Sequence, residues 1–188
     1  MRFDSTLTLL GGEDVAAVTS PPTILDVAFD AATDTTAVAI GISSLTGYEV
    51  DYSDNDSGVF STALVSSGVD QLGGLTLAFD QSSAPWLLFT HGTIETTATL
   101  LIDYTLERAE LSGGFWTTSP ITYDDSPLTL DLMFATDGTP RLAFTAARDY
   151  SIPLLSIVVS LQFDGVVGKF DGANWTFETV YDSTLDIS

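Results

Sequence analysis

The sequence predicts an all-β chain built from a repeated four-stranded antiparallel unit, and three observations carry that reading. Apolar and polar residues alternate with period two along most of the chain, with β-branched and aromatic residues abundant. Helical signals are nearly absent. The chain also aligns to itself in three segments, LDVAFDAATDTTAVAIGI (Leu25–Ile42), LTLAFDQSSAPWLLFTHG (Leu75–Gly92) and LDLMFATDGTPRLAFTAA (Leu130–Ala147).

Each segment reads as a hairpin. Its first strand is an apolar–x–apolar–x–Phe run ending at Phe29, Phe79 or Phe134, and its second strand is expected six residues later, at Thr35, Pro85 and Pro140. Leu25, Leu75 and Leu130 are spaced by 50 and 55 residues, and LDIS (Leu185–Ser188) falls another 55 on, so it reads as the first residues of a fourth copy. A third strand follows each hairpin: YEVDYS (Tyr48–Ser53), TATLLIDYTL (Thr97–Leu106) and LLSIVVSLQF (Leu154–Phe163). Thr93–Leu111 has some helix-like charges, but Thr and Ile dominate it, so it is read as a strand running into a polar connection. The fourth strand is marked by Trp-Thr after a turn, in GGFWTTSPI (Gly113–Ile121) and DGANWTFETV (Asp171–Val180), with DSGVFSTALV (Asp56–Val65) a degenerate copy that puts Phe60 near the Trp position. RFDSTLTLL (Arg2–Leu10) is similar to KFDGANWTF (Lys169–Phe177), so the chain is expected to open on the same kind of strand. LGG at Leu10–Gly12 and at Leu72–Gly74 is read as turn.

The expected organisation is a single β-repeat domain over 1–188. A lead-in strand occupies 1–21, the first unit 22–72, the second 73–127, and the third unit with the start of a fourth 128–188. Four-stranded meanders every 50 to 60 residues with a recurrent large aromatic match the blades of a β-propeller. Blades pack on both faces, which accounts for the continuous runs LTLAF and PWLLF, and the aromatic on the outer strand fills the widening gap between blades. A ring typically needs four or more blades. Three therefore imply self-association into a homo-oligomer, further blades of a larger chain, or a designed, reconstructed or truncated array. A two-sheet β-sandwich is the alternative architecture.

LMFATDGTPRLAF with FDGANWTFETV resembles the blade repeats of bacterial and archaeal surface β-propellers, in which a hydrophobic-x-Phe-Asp-x-x-Gly-x-Pro-hydrophobic hairpin precedes an Asp-Gly-x-x-Trp strand. It is distantly similar to the Asp-box repeats of sialidase-type propellers. The first unit lacks the Pro and the Trp, and matches by spacing. The resemblance implies a fold and an extracellular or surface setting, and no particular activity.

Composition narrows the function classes. With 45% hydrophobic residues and 11% aromatics in 188 residues the chain can build a substantial core. There are 26 acidic residues against five basic ones, a net charge of −21, which disfavours nucleic acid and anionic membrane surfaces. Cysteine is absent, so disulfides and thiolate chemistry are excluded. The N-terminus lacks the apolar core of a signal peptide, and Ile152–Leu161 is too short to span a bilayer.

Candidate chemistry is sparse. His91 is the only histidine and follows the second strand of the second unit, without a G-x-S-x-G elbow anywhere to serve it. Glu95, Glu107 and Glu110 are expected on connections, as solvated charge or as paired carboxylates for glycoside cleavage. Arg2, Arg108, Arg141 and Arg148 are scattered, unlike the arginine clamp of sialidases. The acidic run DYSDNDSG offers Asp51, Asp54 and Asp56 as calcium ligands, and an Asx-rich turn explains the same residues without an ion. Asp124–Asp125 is a weaker version of that idea. Trp86 and Tyr150 are the aromatics a sugar ligand would use. The expected role is a non-catalytic binding or assembly module with a glycan or protein ligand; the alternative is a carbohydrate-binding or glycan-active propeller.

Overall fold

The computed structural model describes residues 2–3, 9–11, 22–44, 46–96, 100–148 and 159–187. Those residues form strands and turns only. A short pair, β1 (Arg2–Phe3) and β2 (Leu9–Gly11), precedes three four-stranded antiparallel sheets. Sheet 1 is β3 (Ile24–Asp30), β4 (Thr35–Ser44), β5 (Gly47–Asp54) and β6 (Ser61–Gly68). Sheet 2 is β7 (Gln71–Phe79), β8 (Pro85–Thr96), β9 (Leu100–Ser112) and β10 (Phe115–Ile121). Sheet 3 is β11 (Ser126–Phe134), β12 (Pro140–Arg148), β13 (Val159–Phe170) and β14 (Trp175–Ile187). Every sheet is a meander, each strand paired with its neighbour in sequence. The second hairpin strands begin at the three positions that the repeat spacing predicts.

Alternation decides how the sheets stack. Successive side chains of a strand point to opposite faces, and sheet 2 is apolar on both. Leu75, Leu77, Leu87 and Phe89 face sheet 1, where they meet Ala37, Ala39, Val50 and Tyr52. Leu88 and Leu106 face sheet 3, where they meet Leu132, Leu142, Phe144 and Val166. Sheet 2 therefore lies between two cores, and Leu87, Leu88 and Phe89 have no exposed surface. Burial of each such side chain contributes about 1.5–3 kcal/mol. The first strands approach most closely, β7 packing against β3 and β4 on one side and β11 on the other.

Polar bonds repeat with the cores. Asp26 Oδ2 in β3 accepts the Leu77 N–H of β7 at 2.7 Å, and Thr76 Oγ1 in β7 accepts the Leu132 N–H of β11 at 3.0 Å. The three phenylalanines occupy matching places. Phe79 packs on the first core, Phe134 meets Trp86 of sheet 2 edge to face at 5.5 Å, and Phe29 lies 59% exposed on the outer side of sheet 1. The fourth-strand aromatics follow suit: Trp116 packs on Tyr52 at 5.0 Å, Trp175 joins the second core, and Phe60 packs on Val38, Ile40 and Ile42 on the outer side of sheet 1.

The hairpin turns share one device. The residue just before the second strand pairs up takes a left-handed backbone, Asp34 (φ 58°), Ser83 (φ 64°) and Gly138 (φ 80°). Asp30 and Asp80 cap the first two turns by accepting the backbone N–H of Ala32 and of Ser82 and Ala84. The first turn is one residue longer, so Phe29 pairs with Thr36 while Phe79 pairs with Pro85 and Phe134 with Pro140.

Several sequence readings are corrected. Leu72–Gly74 is no turn but part of β7, with Gly73 at a register shift, and Gly74 lets the Leu128 carbonyl come close. Glu107 and Glu110 lie in β9 and Glu95 in β8, not on connections. The third strand of sheet 3 runs on to Phe170 rather than stopping at Phe163, because Gly165 and Gly168 leave room for Tyr181 and Phe177 across the ladder. Leu185–Ile187 close β14, paired with Val159–Leu161, rather than opening a fourth unit. The front segment is a pair of short strands rather than one. Sheet 2 starts at Gln71 and sheet 3 at Ser126, two residues ahead of the expected unit boundaries. Thr97–Thr99 and Leu154–Val158 lie outside the described residues.

Candidate functional site

A groove of about 470 Å³ lies at the turn end of sheets 2 and 3, lined by Trp86, Phe134, Phe170, Asp80, Asp137 and Lys169 among others. Hairpin register builds it. Trp86 is the second residue of β8, opposite Ala78 and Glu110, while Phe134 and Phe170 end β11 and β13. Asp80 aims the indole by accepting its Nε1–H at 3.3 Å, while Oδ1 holds the Ser82 and Ala84 N–H groups of the turn. Burial raises the Asp80 pKa, but these donors outweigh it and hold the carboxyl below its usual value.

Arg108 packs against two of these rings. Its guanidinium lies 3.6 Å from the Trp86 ring centroid and 5.3 Å from that of Phe170, and it forms an ion pair with Glu110. Burial lowers the Arg108 pKa and Glu110 raises it back in part. The cation therefore occupies a face of Trp86, and Phe134 and Phe170 meet the ring edge to face. A sugar would need the other face of the ring, and Trp86 still lines the groove. Tyr150 lies outside the described residues.

His91 is not isolated in space. Its Nδ1 lies 2.9 Å from Asp70 Oδ2, its Nε2 lies 3.8 Å from Glu107 Oε1, and its ring stacks on Tyr48 at 5.0 Å. Burial pushes the Glu107 pKa up and His91 pulls it partly back. The Nδ1–Asp70 contact ties β8 to the loop before β7, while Glu107 of β9 lies beyond hydrogen-bond reach of Nε2. Asp70 is 21 residues from His91, a pairing with no signature in sequence.

The acidic run resolves into separate roles. Asp51 pairs with Ile40 and Leu64 on the outer side of sheet 1, whereas Asp54 pairs with Ala37 and Ser61 and so points to the opposite side. The Asp54 carboxylate accepts the Asp56 N–H at 3.3 Å, Asp56 Oδ1 lies 3.5 Å from Thr35 Oγ1, and Asn55 Oδ1 accepts the Thr36 N–H at 2.7 Å. This is the geometry of an Asx turn. Asp51, Asp54 and Asp56 are not brought to one point. Among the described residues no group of three or more His, Cys, Asp or Glu side chains converges on a metal position. Nor is any helix there long and apolar enough to cross a membrane.

Asp51 has a consequence for stability. Burial first, and Glu49 beside it, push its pKa from 3.8 up to about 6. The folded state then keeps a proton that the unfolded chain has lost, so stability falls as pH rises from about 4 to about 6 and stays low above that. Asp51→Asn removes this penalty. The variant is expected to gain about 1 kcal/mol at pH 7.5, below the full conversion because water screens the pair, and nothing below pH 4. Urea unfolding at both pH values checks it.

Compared with known proteins, the chain matches no family model and no curated protein.

Proposed function

We propose that this chain is a non-catalytic assembly module of β-propeller type, with its three sheets acting as blades. The observation that carries the reading is sheet 2. Both of its faces are buried, and the first-strand row Leu75–Leu77 that faces sheet 1 recurs as Leu25–Val27 in sheet 1 and Leu130–Leu132 in sheet 3, which favours a neighbour on that side of every sheet. The first strands lie close together and the fourth strands carry the large aromatics, as wedge-shaped blades require.

Two features favour assembly over catalysis or sugar binding. His91 Nδ1 is engaged by Asp70 with Glu107 3.8 Å from Nε2, and Arg108 covers one face of Trp86. Meanwhile Leu25, Val27 and Phe29 remain 57–61% exposed at repeat positions buried elsewhere. Exposed apolar surface of this kind marks an interaction site.

Light scattering on the purified protein tests the proposal. The expected result is a mass at least twice 20.0 kDa. A mass of 20.0 kDa at all concentrations, in high and low salt, overturns it. With a net charge of −21, association is expected to strengthen between 0.1 and 1 M salt, as the screening length falls from about 10 Å to about 3 Å.

A further inference from the structure

We infer that the exposed face of β3 in one copy of the chain seats on the outer face of sheet 3 in a second copy, head to tail, so that two chains close a ring of six sheets. The inference rests on the assembly reading above and adds which surfaces meet and how many chains close. Three independent correspondences lead to it.

The first is a set of knobs without a socket. Leu25, Val27 and Phe29 stand where sheet 2 has Leu75, Leu77 and Phe79 and sheet 3 has Leu130, Leu132 and Phe134. In sheets 2 and 3 this row is packed against the sheet before it, with Leu75, Leu77 and Leu132 at 4–5% exposure. In sheet 1 the same row is 57–61% exposed. The neighbouring row on β4, Val38, Ile40 and Ile42, is already buried with Phe60 packed on it, so the open part of this face is the β3 row itself.

The second is a socket without knobs. The outer face of sheet 3 carries a depression of about 390 Å³, bordered by Thr129, Asp131, Thr145 and Val167 and floored by the small residues Ala143 and Gly165. Small residues do the same work inside the chain. Ala37, Ala39 and Gly41 of β4 are what Leu72 and Leu75 of the next sheet lie against. Ala143 stands in β12 where Ala39 stands in β4, since Phe144 and Ile40 pair with the equivalent residues Leu130 and Leu25.

The third is an acceptor waiting in register. Asp26 accepts the Leu77 N–H and Thr76 accepts the Leu132 N–H, and Asp131 is the next residue of that series, exposed on the outer face of sheet 3. Its matching donor is the N–H of Val27, which in the single chain turns to its own neighbour, Asp26 Oδ1, at 2.9 Å. Knobs, socket and acceptor all lie at complementary ends, so the contact is heterologous. Such contacts close a ring when the rotation allows. Six sheets fall within the four to eight that propellers use.

The absence of cysteine makes the geometry directly testable. Val27→Cys and Asp131→Cys chains are mixed and treated with a short bismaleimide. The expected product is a Val27–Asp131 cross-link between unlike chains, with neither variant cross-linking to itself. In parallel, Val27→Asp and Ala143→Trp, at opposite ends, are each expected to weaken the dimer about 30-fold or more, with melting at low concentration unchanged. Mixing these two variants is expected to restore a single junction, because each retains the surface the other lacks. Self-cross-linking of Val27→Cys, or an assembly of more than two chains, overturns the head-to-tail ring. So does a dimer that neither variant weakens, while leaving the assembly reading intact. A monomer at every concentration sinks both.

Discussion

Phe89→Ala is expected to lower the unfolding free energy by about 4 kcal/mol, among the largest effects of any single substitution in the chain. Phe89 is fully buried in β8 and packs within the first core, its ring 6.0 Å from that of Tyr48 and 5.9 Å from that of His91. Truncation removes a whole ring from between two sheets whose backbones are held by their own ladders. The walls cannot collapse, and the cavity cost adds to the lost transfer energy. With a urea dependence of about 2 kcal/mol per molar, the unfolding midpoint should fall by about 2 M at unchanged slope. Phe29→Ala is the matched control. At 59% exposure it should leave the monomer's midpoint nearly where it was. Equal losses at the two positions would mean that sheet 1 is covered within the single chain.

Gly92→Ala is expected to cost about 3 kcal/mol, for the opposite reason. Gly92 in β8 pairs with Tyr104 in β9, and a methyl group there would run into the Asp103 carbonyl oxygen, with Tyr104 Cα only 2.8 Å away. These are backbone atoms of a paired strand and cannot swing aside as a side chain would. Relief requires β8 and β9 to part next to His91, breaking its contact with Glu107. Thermal unfolding followed by circular dichroism should show the loss. At Gly58, where nothing lies within 4 Å, the same methyl meets only its own backbone strain. A Gly92→Ala protein that melts like the parent would show the pairing at this point to be looser than described.

The repeat made the hairpins legible. An apolar–x–apolar–x–Phe run forces a register, and the recurrent Trp of the fourth strand marks Trp116 and Trp175, each packed against a core. Charged residues inside a central strand were not legible. Glu107 and Glu110 read as charges on connections and Arg108 as one of four scattered arginines, yet all three lie in β9, where Trp86 and Glu110 receive the Arg108 guanidinium. Glycine in β13 suggests a strand end, and only the rings opposite it reveal why the strand continues. The partners of His91 come from a loop and a neighbouring strand, so no spacing rule could pair them. Asp51 and Asp54 look adjacent in sequence, and an odd separation of three places them on opposite faces.

The bond from Asp26 to Leu77, and again from Thr76 to Leu132, runs in a single sense along the chain. A body put together this way has a polarity, like a screw thread. Copying one unit and inserting it beside its parent would meet surfaces already fitted to receive it. Growth by tandem duplication thus calls for no invention at the join.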